Sequence, residues 1–253
     1  MNELTFTEPK LTELEVQSSA CFQFGLLFAQ IHRLSHEWQI EYSYAQEPEQ
    51  SSLLAYGESD IKRIISREQK SQLEVKPRLA DRSIVNQPLT AIQISPGAKT
   101  TLYVSTPLWV AFFTGNEELI ELPLMRLSDS WFGPNTLSGE LCYSSTTRAR
   151  LELQLMEQSN YKAITPISII NKGEAPLPLT RINVPVANLS LYLHQGHYWT
   201  SPLDIVLEYG LDQANVTISP NPPLNLIGAK EIAAPRIAEK RGGFQKTLNL
   251  LFA

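Results

Sequence analysis

From residue 11 onward apolar and polar residues alternate with period two, in short runs rich in β-branched and aromatic side chains, separated by turn residues. Such a pattern predicts a chain made mainly of strands. Leu11, Leu14 and Val16 suggest a short first strand. Between Phe22 and Ile31 both faces are apolar, Phe22, Phe24, Leu26 and Phe28 on one and Leu27, Ala29 and Ile31 on the other. The run is therefore expected as one central strand covered on both sides, with Gly25 marking a bulge or a close backbone approach. After a turn at Ser35-His36-Glu37, Trp38, Ile40, Tyr42 and Tyr44 alternate with Gln39, Glu41 and Ser43, the pattern of a half-buried partner strand.

One block departs from this grammar. Residues 60–72 offer Asp60 as an N-cap, Ile61, Ile64 and Ile65 on one side and Lys62, Arg63, Arg67 and Lys70 on the other, which predicts a short basic helix. Beyond it, Ser95-Pro96-Gly97 is a turn signal leading into strands over 100–105 and 108–113, with Pro107 between them predicting a kink or an edge crossing. Strands over 119–127, 139–143, 149–155, 164–170, 179–184, 189–194, 198–209 and 214–218 follow at intervals of roughly ten residues, the spacing of a sandwich or barrel. Gln195-Gly196 reads as a tight hairpin turn.

The expected fold class is mainly β: an antiparallel β-sandwich, immunoglobulin-like or jelly-roll-like, over residues 99–222. It is preceded by a smaller β portion with the short helix over 1–98 and followed by a tail over 223–253. The tail ends in Leu248, Leu250, Leu251 and Phe252, which predicts docking onto the body or onto another copy, so homo-oligomerisation through it is an open expectation.

With 43% apolar and 19% charged residues among 253, the chain has the composition of a packed globular protein. The amino terminus lacks the basic start and apolar run of a secretory signal. The most apolar stretch, residues 22–31, is interrupted by Gln23, Gly25 and Gln30 and is too short for a membrane helix. A cytoplasmic location is the expectation, and Cys21 and Cys142, the only cysteines, are then expected as free thiols. The net charge of −5 is unevenly spread: residues 60–82 hold seven basic side chains against four acidic ones. That helix carries Glu68 among its cations and has no aromatic suited to base stacking. Pairing with the body's own carboxylates is favoured over nucleic acid.

The unusual chemistry is concentrated in residues 125–150. Trp131-Phe132-Gly133-Pro134 sets two large rings on a turn, the kind of rigid aromatic presentation that binding surfaces use. Arg126, Asp129, Trp131, Phe132, Glu140 and Arg148 are the candidate binding residues. In a competing reading, Asp129 and Glu140, brought together by a hairpin-like return, serve as the acid and base of a hydrolase, with Arg126 or Arg148 orienting an anionic group. The bland alternative has the rings plugging the end of the sandwich and Asp129 capping the turn.

Ser105-Thr106-Pro107-Leu108-Trp109, Leu127-Ser128-Asp129-Ser130-Trp131-Phe132-Gly133 and Gly139-Glu140-Leu141-Cys142-Tyr143 carry a resemblance. With 169–171 to 185–186, they make about half of the chain look like an uncharacterised prokaryotic family, a domain of unknown function. That family has no established activity, so the resemblance implies no mechanism. It only groups Asp129, Trp131, Gly133 and Glu140 as one site.

Across the Gln195-Gly196 turn, His194 and His197 face each other, two potential ligands where a structural zinc site needs four. No metal or cofactor is assigned. The chain contains no phosphate loop, dinucleotide fingerprint, nucleophile elbow or paired Cys-x-x-Cys. The leading expectation is a binding or accessory module for a protein or small-molecule ligand, using the Trp131-Phe132 loop.

Overall fold

The computed structural model describes residues 10–45, 59–67, 70–135, 137–147, 149–157, 159–208, 213–237, 244–247 and 251–252. The period-two alternation is realised as strand nearly throughout. In chain order these are β1 (Lys10–Glu13), β2 (Ser18–Phe24), β3 (Leu27–Arg33), β4 (Trp38–Tyr44), β5 (Asp60–Ile64), β6 (Gln72–Arg78), β7 (Ile84–Pro88) and β8 (Ile92–Ile94). Then come β9 (Lys99–Pro107), β10 (Trp109–Thr114), β11 (Glu117–Pro123), β12 (Ser128–Phe132), β13 (Glu140–Thr147), β14 (Lys162–Asn171), β15 (Leu177–Leu179) and β16 (Ile182–Val184). The last are β17 (Leu191–His194), β18 (His197–Thr200), β19 (Leu203–Leu207), β20 (Gln213–Ile218), β21 (Lys230–Ala233) and β22 (Phe244–Thr247). Two single 3-10 turns, Leu153–Leu155 and Val186–Asn188, are the only helical residues among those described. The protein is mainly β and built of several largely antiparallel sheets. No helix among the described residues is long and apolar enough to cross a membrane.

The chain divides into two compact units, the first comprising Met1–Arg78, Leu108–Arg126 and Ser159–Tyr161, the second the remainder. In the first unit, a sheet ordered β1-β6-β10-β11 and a sheet ordered β2-β3-β4-β5 are both antiparallel throughout. Phe22 and Phe24 alternate onto one face of β2 and meet Phe112 of β10, with the Phe22 and Phe112 rings edge to face at 5.5 Å. The inner strand β3 is apolar on both faces, with Leu27, Phe28, Ala29 and Ile31 all buried.

Two expectations for this unit are corrected. The run from Phe22 to Ile31 is two strands, because Gly25 takes φ +56° and, with Leu26, turns the chain into a hairpin with Phe24 opposite Leu27. The expected close approach at Gly25 is present as well: a Cβ there would lie 2.3 Å from Cβ of Tyr161. The basic block is not a helix. Its first residues form the edge strand β5 on β4, with Lys62 opposite Ile40, and Ile61 and Ile65 are exposed, so no apolar helical face exists to be buried. β-branched isoleucines favour an extended backbone, and charges on an edge strand deter further pairing. Arg63 forks onto Glu37 at 2.8 Å, and Arg78 reaches Glu118 at 2.9 Å.

In the second unit the longest strand, β14, pairs antiparallel with β9 from Lys162 opposite Pro107 to Ile170 opposite Lys99. Its other edge is shared, β18 meeting it at Ile164 and β19 running parallel to it from Ile167, with Ser201 and Pro202 at the jog between them. β17 and β21 extend this sheet on one side, β20 and β22 on the other. The Pro107 crossing is observed, since β9 lies in this sheet while β10 belongs to the first unit. The tail returns onto its own chain: β21 and β22 join the sheet, Leu251 and Phe252 are buried, and the Leu251 carbonyl accepts from the Asn183 N–H at 2.8 Å. Leu248 and Leu250 lie outside the described residues. A separate four-stranded sheet, ordered β12-β13-β7-β16, carries the candidate site.

Candidate functional site

The stretch from Ser128 to Thr147 is a hairpin whose register sets Ser128 opposite Ser144, Asp129 opposite Tyr143, Ser130 opposite Cys142, Trp131 opposite Leu141 and Phe132 opposite Glu140. Directly opposed residues share a face and successive ones alternate. One face therefore carries Asp129, Trp131, Leu141 and Tyr143; the other carries Ser130, Phe132, Glu140 and Cys142. Burial agrees. Trp131 is 45% exposed, whereas Phe132 is 1% exposed and packs with Val85 and Cys142.

The hairpin return is real, but it does not bring the two carboxylates together. Asp129 and Glu140 stand on opposite faces, because Phe132, the partner of Glu140, is three positions along from Asp129, and an odd offset in a strand reverses the face. The acid and base pairing expected of them has no geometry here. Phe132 is likewise corrected from a presented ring to a core side chain, with the Arg181 guanidinium 4.9 Å over it. Arg126 is exposed in the first unit, 5.5 Å over the ring of Tyr44, and Arg148 lies outside the described residues.

On the exposed face, Arg82 connects the polar side chains. It donates to Asp129 at 3.1 Å and to the Tyr143 hydroxyl at 2.7 Å while lying 4.1 Å over the Tyr143 ring, and that hydroxyl donates to Asp81 at 3.0 Å. Partial burial raises the Tyr143 pKa; the bond from Arg82 opposes this and Asp81 adds to it, so the phenol stays protonated. Partial burial pulls Arg82 down, but its bond to Tyr143 and the charges of Tyr143, Asp81 and Asp129 more than offset this and leave it raised.

The apolar half of that face is Trp131, Leu141 and, at the tip, Leu137, all exposed. Asn135 organises the tip. Its side-chain oxygen accepts from the N–H groups of Leu137 and Ser138 at 2.9 and 2.8 Å, and its carbonyl accepts from the indole N–H of Trp131 at 3.0 Å. Gly139 lies close against the indole, where a Cβ would sit 2.4 Å from Nε1. The turn is thus capped by Asn135, not by Asp129. On the buried face, the Asn183 amide donates to a Glu140 carboxylate oxygen, and Arg181 donates to Ser130 at 3.3 Å.

The same stretches that define this hairpin lie inside a match to a protein-family model that spans residues 11–252, described as Protein of unknown function (DUF432). The chain belongs to that family. No curated protein and no solved structure matches it. Family membership assigns no activity, so the chemistry of the site rests on its geometry.

On the exposed face that geometry sets the Tyr143 phenol between the Arg82 guanidinium and the Asp81 carboxylate. It also offers an indole bonded to Asn135 and two exposed leucines. Elsewhere, His194 and His197 do oppose each other across the Gln195-Gly196 turn. Among the described residues, no group of three or more His, Cys, Asp or Glu side chains is placed to hold a metal ion. Sequence reasoning missed Asp81, Arg82, Asn135 and Tyr143. Only Asn135 had a local signal, as an Asn following Gly-Pro in a turn.

Proposed function

We propose that this chain is a binding module whose working surface is the exposed face of the β12–β13 hairpin and whose ligand is a protein. One observation carries the reading: Trp131 is 45% exposed yet held in place by its bond to Asn135 and by the close contact with Gly139. An indole so fixed has little entropy to lose on binding, and Trp, Tyr and Arg are the residues that supply most interface energy. Leu137 and Leu141 extend the apolar centre, while Asp81, Arg82, Asp129 and Tyr143 form a polar rim. Phe132 and Glu140 support it from the opposite face. A cytoplasmic setting is part of the proposal, supported by the two cysteines, both free thiols.

The test is a photo-reactive benzoylphenylalanine at position 141, illuminated in cells expressing the full chain. A discrete covalent adduct is expected, and it should be lost when Trp131→Ala is added. No adduct, or one formed equally well without the indole, overturns the proposal.

A further inference from the structure

β12 is the outer strand of its sheet, paired on one side with β13 and, among the described residues, with no strand on the other. Which backbone groups it leaves open follows from one hydrogen bond. The N–H of Tyr143 donates to the carbonyl of Ser83 at 3.0 Å, so Tyr143 directs its backbone groups towards β7 and away from β12. The pair Asp129 and Tyr143 is consequently a non-hydrogen-bonded pair, and so is Trp131 and Leu141 two residues along. The N–H and C=O groups of Asp129 and Trp131 therefore point out of the free edge, four groups in a row beside the exposed indole.

Resting on the reading of this hairpin as the working surface, we infer that its partner is a second copy of the same chain, paired antiparallel through β12 about a two-fold axis at Ser130. In that register Asp129 opposes Trp131 of the copy and Trp131 opposes Asp129 of the copy. Both are pairs whose backbone groups face outward, so all four main-chain hydrogen bonds form. Registers centred one residue either way are poorer. Centring on Asp129 sets two like charges opposite each other, and centring on Trp131 runs Asp129 against Gly133, beyond the strand end. Centring on Ser130 also lays each indole against the Arg82 and Asp129 pair of the other copy, a face where a guanidinium attracts the ring. The product is one continuous sheet in which neither β12 edge remains open to water.

Sedimentation of the full chain over a concentration series tests this. The weight-average mass is expected to rise towards twice that of the monomer. Trp131→Pro, which removes an N–H the hairpin itself does not use, should hold the chain monomeric with its far-ultraviolet spectrum unchanged. Should that variant fail to fold, Ser130→Cys in a background of Cys21→Ser and Cys142→Ala decides alone. Two Ser130 positions would then face each other in a non-hydrogen-bonded pair about 4.5 Å apart, within disulfide reach, and mild oxidation should give a covalent dimer. A chain that stays monomeric throughout, or a dimer indifferent to Trp131→Pro with no cross-link formed by the Ser130→Cys variant, overturns the inference. If the position-141 adduct persists on a monomeric chain, self-pairing fails while the binding surface stands. Loss of both adduct and dimer removes both.

Discussion

Asp129 and Glu140 project from opposite faces of one hairpin, Asp129 beside Tyr143 and Arg82, Glu140 beside Phe132 and Asn183. They share no partner among the contacts described above. Asp129→Asn and Glu140→Gln should therefore be additive in urea unfolding, with the double variant within about 0.5 kcal/mol of the sum of the singles. A coupling energy of about 1 kcal/mol or more would mean the two carboxylates act as a unit after all.

Adjacent residues on this strand should behave very differently. Phe132 is enclosed with Val85 and Cys142. Its truncation to Ala removes a ring from a closed cluster and should cost about 3–5 kcal/mol. Trp131, one residue earlier, stands on the open face. Trp131→Ala should cost less than about 1 kcal/mol, being a surface substitution that loses one exposed hydrogen bond. Paired denaturant curves check both. Similar losses would mean that the indole is part of the core.

Gly139→Ala isolates what holds the indole. The added methyl would meet the ring at 2.4 Å and the Phe132 carbonyl oxygen at 2.8 Å, and the second is backbone with little freedom to retreat. The expected outcome is a loss of about 1–3 kcal/mol from overpacking, with a red shift in tryptophan emission as the ring is pushed outward. An unchanged emission spectrum would show that the ring is not fixed by this contact.

The strand content, the turn at Ser95-Pro96-Gly97, the Pro107 crossing and the Gln195-Gly196 hairpin were all legible locally, because each is specified by side-chain period or by a turn residue. The strand break at Gly25 was hidden because the flanking residues are apolar on both sides of the turn, so no polar punctuation marks it. The basic block misled because Ile61, Ile64 and Ile65 fit a helical spacing. What decides its conformation is β4 offering an edge, a tertiary fact. At the site, period two already contained the opposition of Trp131 and Phe132, once the register was known. The contributions of Asp81 and Arg82 were out of reach, since Arg82 lies 47 positions from Asp129 and 61 from Tyr143, and no local pattern spans that distance.

The protonated phenol of Tyr143 gives a pH signature with a definite sign. Burial first, then Asp81, holds its pKa above the ordinary 10.0 against the lowering pull of Arg82. The folded state thus keeps this proton more tightly than the unfolded chain does. The stabilisation is fully present below about pH 10 and is lost as pH rises through the elevated folded value. Tyr143→Phe abolishes the bonds with Arg82 and Asp81 and should lower stability at neutral pH by about 0.5–1.5 kcal/mol. The gap between wild type and variant should stay level up to about pH 10 and then narrow. Burial also raises Tyr42 and Tyr44, but both remain in the two proteins, so the difference between the curves reports on Tyr143 alone. A gap that widens above about pH 10 would reverse the sign and show that Arg82 prevails over burial.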